Sequence, residues 1–107
     1  MGFDAWFFAR LDYQDKNKRM NDKTMEFVWN PYSDTLGNQA NILTHVLYWG
    51  YSNPPGMGFD LVDDDTLWIN NEQDAAYNAP QKAAQLMDHL DERATHYVTD
   101  EILVLMG

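Results

Sequence analysis

Arg10 stands at the end of the apolar run Phe3–Leu11, and Asp12 and Asp15 lie just beyond it. A cation ending an aromatic strand is costly unless paired, so Arg10 should meet a carboxylate or a polar ligand, or else close a structural ion pair. Two carboxylates this close could act as acid and base or as oxygen ligands. The competing reading is an acidic first turn of a helix, which the helix dipole favours. Asp63-Asp64-Asp65 resembles the start of a calcium loop, but the sixth position needs Gly and is Trp68, so a solvated turn is expected instead. His45, His89 and His96 form no metal pattern: His89 and His96 would lie two helical turns apart, too far for one ion. His45 falls inside a strand and reads as a core histidine or a site residue, with the core favoured. Tyr51 follows Tyr48 and Trp49 into a Pro/Gly loop. Aromatic rings there either line a ligand pocket or simply pack. No Gly-rich phosphate loop, serine elbow or nucleophile–His–acid triad is present.

The elements that must hold these residues alternate. Phe3–Leu11 reads as a buried strand covered on both faces, Tyr13–Asp22 as a polar helix, and Met25–Trp29 as a second strand ended by Asn30-Pro31. Pro31–Asn41 reads as a loop and Ile42–Tyr48 as a third strand. Gly50–Gly58 is turn-rich, Phe59–Val62 a brief extended piece, and Asp63–Asn78 irregular. Asn78, Pro80 and Gln81 predict a capped helix over Ala79–Tyr97, with Ala83, Leu86, Met87, Leu90, Ala94 and Tyr97 on its apolar face. Glu101–Met106 reads as a last buried strand. The order implies an α/β fold with parallel strands.

The chain has 107 residues, a net charge of -10 and no cysteine. One small domain, or part of a larger one, is the expected size. The acidic balance argues against nucleic acid and against an anionic membrane surface. No apolar run is long enough to span a bilayer, and Asp4 interrupts any signal-peptide pattern. Disulfide and thiolate chemistry are excluded for these residues. Both ends are apolar, strand-like runs without polar tails, which suggests a segment of a larger protein.

The run Phe7-Phe8-Ala9-Arg10-Leu11-Asp12-Tyr13-Gln14-Asp15-Lys16 resembles a segment of the lysosomal-type α-mannosidases of glycoside hydrolase family 38. The resemblance continues through Met25-Glu26-Phe27-Val28-Trp29, Val46-Leu47, Gly50-Tyr51, Pro54-Pro55-Gly56, Phe59-Asp60, the Asn78–Tyr97 helix and Leu105-Met106-Gly107. It implies part of a seven-stranded β/α barrel, the catalytic domain of a retaining enzyme acting on terminal α-mannosidic bonds of N-glycan-type oligosaccharides. It also implies a zinc ion, an Asp nucleophile that ligates the zinc, and a second Asp as acid/base. The motifs for those groups match nothing here, so no catalytic or metal residue is assigned to this chain. The two that carry over are Arg10, expected to orient a catalytic carboxylate, and Tyr51, expected beside the bound sugar. Relatives often carry a cysteine before the aromatic–Asp pair and another shortly after; this chain has Gly58 before Phe59-Asp60.

The reading is therefore residues 1–107 as an internal piece of an α-mannosidase catalytic domain, inactive by itself and only marginally stable. Its partners would be a mannose-containing oligosaccharide and the rest of the mannosidase chain, in the lysosome or secretory pathway. The alternative is a truncated, non-enzymatic interaction or carbohydrate-binding module.

Overall fold

The computed structural model describes residues 2–58 and 65–106. The expected extended piece Phe59–Val62, and Asp63 and Asp64 of the acidic run, lie outside the described residues. Among the described residues the order is β1 (Ala5–Phe8), α1 (Tyr13–Asp22), β2 (Glu26–Trp29), α2 (Ser33–Leu36), β3 (Ile42–Val46) and α3 (Ala79–Ala94). This is a small α/β chain with one mixed, three-stranded sheet.

The strands lie in the order β1-β3-β2. β1 runs parallel to β3, with Ala5 opposite Leu43 and Phe8 opposite Val46. β2 runs antiparallel to β3, with Glu26 opposite His45 and Trp29 opposite Ile42. The expectation of uniformly parallel strands fails at β2. Residues 30–41 contain only the one-turn helix α2, and a parallel return needs a full crossover. That turn also corrects the reading of Pro31–Asn41 as loop throughout.

α1 forms where the sequence places it. The Asp12 carboxylate accepts from the backbone N–H groups of Gln14 at 3.0 Å and Asp15 at 3.2 Å, satisfying two donors that a helix start leaves open. Lys23, left-handed at φ 54°, ends it by donating to the Arg19 carbonyl. Side chains opposite in register share a sheet face. One face carries Trp6, Phe8, Phe27, Thr44 and Val46, and α1 covers part of it. Met20 joins the cluster of Met25, Val46 and Tyr97, and the Arg19 guanidinium lies 4.3 Å from the Phe27 ring centre.

The opposite face carries Phe7, Glu26, Val28, Leu43 and His45. Tyr97 stacks on His45 with ring centres 5.1 Å apart, but Phe7, Val28 and Leu43 remain 48%, 61% and 50% exposed. The strands are thus not covered on both faces as expected, because the described residues supply no second layer there.

Glu101–Met106 does not form the expected strand. β3 is already paired on both edges, so this segment finds no partner there; Ile102 packs onto the core cluster instead. α3 ends at Ala94 rather than Tyr97, its last turn closed by the Thr95 hydroxyl donating to the Glu92 carbonyl. Asn78 sits at the cap position without a side-chain cap bond. Its amide instead accepts from Ile69 N–H and donates to the Leu67 carbonyl, both at 2.8 Å. The buried residues of α3 are Lys82 and Arg93, while Ala83 and Met87 are exposed. The expected apolar face is therefore only partly buried: Tyr97 is buried and Leu86, Leu90 and Ala94 are half-buried.

Candidate functional site

Two parallel neighbours end side by side at Phe8 and Val46, and Leu47 N–H donates to the Phe8 carbonyl at 2.8 Å just beyond them. Arg10 leaves that end from β1 and Tyr51 from β3, so both sequence candidates lie past the carboxyl end of the same strand pair. Arg10 is exposed, and among the described residues it makes no ion pair or hydrogen bond. The structural ion pair, one of the two readings for Arg10, is absent from this set, which leaves the guanidinium open to a ligand or carboxylate. Tyr51 is 54% exposed. No contact joins Arg10 to Tyr51 within the described residues.

Their neighbours are packed more tightly. The Tyr48 hydroxyl donates to a Glu92 carboxylate oxygen at 3.0 Å, its ring stacks on His96 at 5.2 Å, and the Arg93 guanidinium sits 5.8 Å from its centre. Burial, then the bond to Glu92, raises the Tyr48 pKa. Tyr48 is thus a packing residue, whereas Trp49 and Tyr51 present free aromatic surface. Lys16 folds back toward the Ala9 carbonyl at 3.4 Å, and partial burial lowers its pKa.

The paired carboxylates take the structural role. Asp12 caps α1, and Asp15 pairs with Arg19 at 2.9 Å one turn on. The histidines are likewise occupied. His45 is buried and donates from Nδ1 to Glu26 at 2.8 Å. His89 Nε2 donates to the Pro55 carbonyl at 3.1 Å, and His96 Nδ1 to the Met20 carbonyl at 3.2 Å. Because a carbonyl only accepts, each of these last two bonds fixes which ring nitrogen holds hydrogen. Among the described residues no three His, Cys, Asp or Glu side chains converge as a metal shell.

Of the residues that fasten this end of the molecule, sequence reading placed Tyr97 on an apolar face but missed Lys82 and the bonds both make. Lys82 donates to the Gly56 carbonyl at 2.5 Å, and Tyr97 donates its buried hydroxyl to the Val46 carbonyl at 2.8 Å. Burial first, and then the nearby Glu26 charge, push the Tyr97 pKa up to about 12. The available signal was the stripe Lys82, Gln85, His89, Arg93 and His96, at helical spacing. Lys82 and Arg93 in it bury their long stems, which hydropathy does not register.

An α/β chain with an unpaired arginine and open aromatics past the carboxyl ends of parallel strands has its candidates where barrel-type enzymes keep their sites. The model of the glycosyl hydrolases family 38 N-terminal domain matches residues 1–107, and the chain belongs to that family. It is 37% identical to a lysosomal alpha-mannosidase of Dictyostelium discoideum, over all of this chain and 10% of that protein. It is 33% identical to the human lysosomal alpha-mannosidase, over all of this chain and 11% of that one. An alpha-mannosidase of Arabidopsis thaliana is 34% identical over 99% of the chain and 10% of its own length. The chain thus spans about a tenth of the curated relatives it matches.

Proposed function

We propose that residues 1–107 are part of the N-terminal catalytic domain of a retaining, zinc-dependent α-mannosidase that cleaves terminal α-mannosidic bonds of N-glycan-type oligosaccharides. The observation that carries this reading is the family match across the whole chain. The parallel pair β1–β3 would be two staves of a partial β/α barrel. The uncovered sheet face supports that reading, since a barrel supplies the missing layer. The lysosomal names of several relatives favour the lysosome as the compartment.

Retention of configuration needs two carboxylates flanking the scissile bond, one as nucleophile and one as acid then base. In this reading those carboxylates and the zinc ligands come from residues outside the chain, and the chain supplies part of the site wall. Arg10 is the positioning residue: its guanidinium fork holds a carboxylate ionised and aimed, through paired N–H donors. Tyr51 lays an aromatic ring and a hydroxyl beside the sugar.

The test compares the intact polypeptide of the natural gene with the 107-residue chain. The intact polypeptide should hydrolyse an aryl α-mannoside with retained anomeric configuration, lose that activity to a chelator and regain it with zinc. The short chain should not turn over. Hydrolysis by the short chain, or none by the intact polypeptide, overturns the reading. In the intact enzyme Arg10→Met should lower kcat/KM by about tenfold or more, with Arg10→Lys recovering only part, because an ammonium cannot form the bidentate pair.

A further inference from the structure

A second concave surface lies at the other end of the sheet. Phe3 precedes β1, Trp29 ends β2 opposite Ile42 in the ladder, and Tyr32 and Leu36 bracket α2. With Gln39 and Asn41 they line a cleft of about 770 Å³, within the range of small-molecule sites. It opens at the amino ends of β1 and β3. From Phe3 to Arg10 an extended chain covers roughly 20 Å, so this cleft is separate from the surface that holds Arg10 and Tyr51.

The lining chemistry is selective. Among the described residues no Asp, Glu, Lys, Arg or His lines the cleft, although the chain has 17 acidic and 7 basic residues. A metal ion, a phosphate or a charged peptide would find no counter-charge there. The three aromatic rings are 73%, 43% and 61% exposed at Phe3, Trp29 and Tyr32. Trp29 also meets Trp6, with ring centres 5.6 Å apart, which extends the aromatic floor. Backbone turns hold the two amides: Gln39 N–H donates to the Leu36 carbonyl and Asn41 N–H to the Asn38 carbonyl. The side chains of both are exposed, with their donors and acceptors uncommitted. A wholly apolar partner would strand those amides.

We propose that this cleft is a secondary binding site for a neutral saccharide. Such a ligand has C–H faces that lie on aromatic rings and hydroxyls that both donate to and accept from amides. A sugar held there would keep a glycan on the protein away from the reacting bond. The site stands on its own lining and does not depend on the mannosidase reading.

The test uses the intact polypeptide with its catalytic site saturated by a mannosidase-directed iminosugar. Methyl α-mannoside and an α-linked mannobiose are titrated by calorimetry and by saturation-transfer NMR. Binding should persist under the iminosugar, and Trp29→Ala should weaken it at least tenfold. Gln39→Ala combined with Asn41→Ala should do the same without disturbing a ring, so that a misfolded Trp29 variant does not decide the matter. Hydrolysis of a small aryl α-mannoside should match the wild type in both variants. The proposal fails if no saccharide binds under the iminosugar, if the double variant binds as the wild type does, or if another segment of the polypeptide already fills the cleft. Absence of hydrolysis by the wild type would overturn the mannosidase reading and leave this binding result standing.

Discussion

Arg10 and His45 solve the same problem in opposite ways. Each is a basic group near the end of a short strand. His45 is 4% exposed and spends its Nδ1 proton on Glu26, its partner across the β2–β3 ladder. Arg10 is exposed and spends nothing on the described residues. The first pattern belongs to structure; the second is what the positioning role proposed for Arg10 requires. A prediction follows for the first. Glu26→Ala leaves a buried donor without an acceptor and should destabilise the intact polypeptide by about 1–3 kcal/mol. Glu26→Gln keeps an oxygen acceptor and should cost less. Denaturant midpoints at neutral pH order the two variants, and equal losses would show that packing, not the bond to His45, sets the cost.

α3 is fastened by polar groups rather than by its apolar stripe. Lys82 and His89 reach the loop carbonyls of Gly56 and Pro55. Gly56 has φ 79°, and a Cβ there would meet the Gln85 amide. Gly56→Ala should therefore cost about 1 kcal/mol or more through left-handed strain alone, seen as a lower melting temperature. At the far end Tyr97 couples the turn after α3 to β3. Its phenol pKa is raised to about 12 from 10.0, so the folded state favours the neutral phenol. That contribution is complete below pH 10 and fades as pH climbs from about 10 to about 12. Tyr97→Phe should flatten stability against pH in that window while costing about 1 kcal/mol at neutral pH for the lost bond to Val46. An unchanged alkaline profile would remove Tyr97 as its source. These elements also show how much was readable beforehand. α1 has its observed bounds in the sequence, because Asp12 is both cap and dipole partner. The start of α3 was likewise legible from Asn78-Ala79-Pro80. The buried side of α3 was not, since hydropathy cannot tell a solvated lysine from one whose stem is packed. Nor was the direction of β2, since strand direction follows from the connection and not from β-propensity. Arg10 and Tyr51 were legible only through family resemblance; composition gives them no distinction from other exposed residues.

The dimensions of the chain bear on its behaviour in solution. A compact chain of this length has a radius of gyration of about 13 Å. This one measures 17.9 Å and extends 63 × 30 × 23 Å. The excess goes with the open sheet face, where Phe7, Val28 and Leu43 lie side by side, and with the unpaired outer edges of β1 and β2. Open edges and apolar faces of this kind recruit other chains. The charge of -10 opposes such association by repulsion, which salt screens. The 107-residue chain by itself should therefore bind a hydrophobic dye, melt without a sharp transition, and shift toward oligomers as salt is raised from about 10 mM to about 1 M, where the screening length falls from 30 to 3 Å. Phe7→Lys together with Leu43→Glu should suppress that shift, since the two residues are diagonal neighbours in adjacent strands and place both charges on the same face. Light scattering after size exclusion reads the outcome. A monodisperse monomer with a sharp, cooperative melt at both salt concentrations would show that the chain closes its own core, and the case for a missing layer over this sheet face would fall.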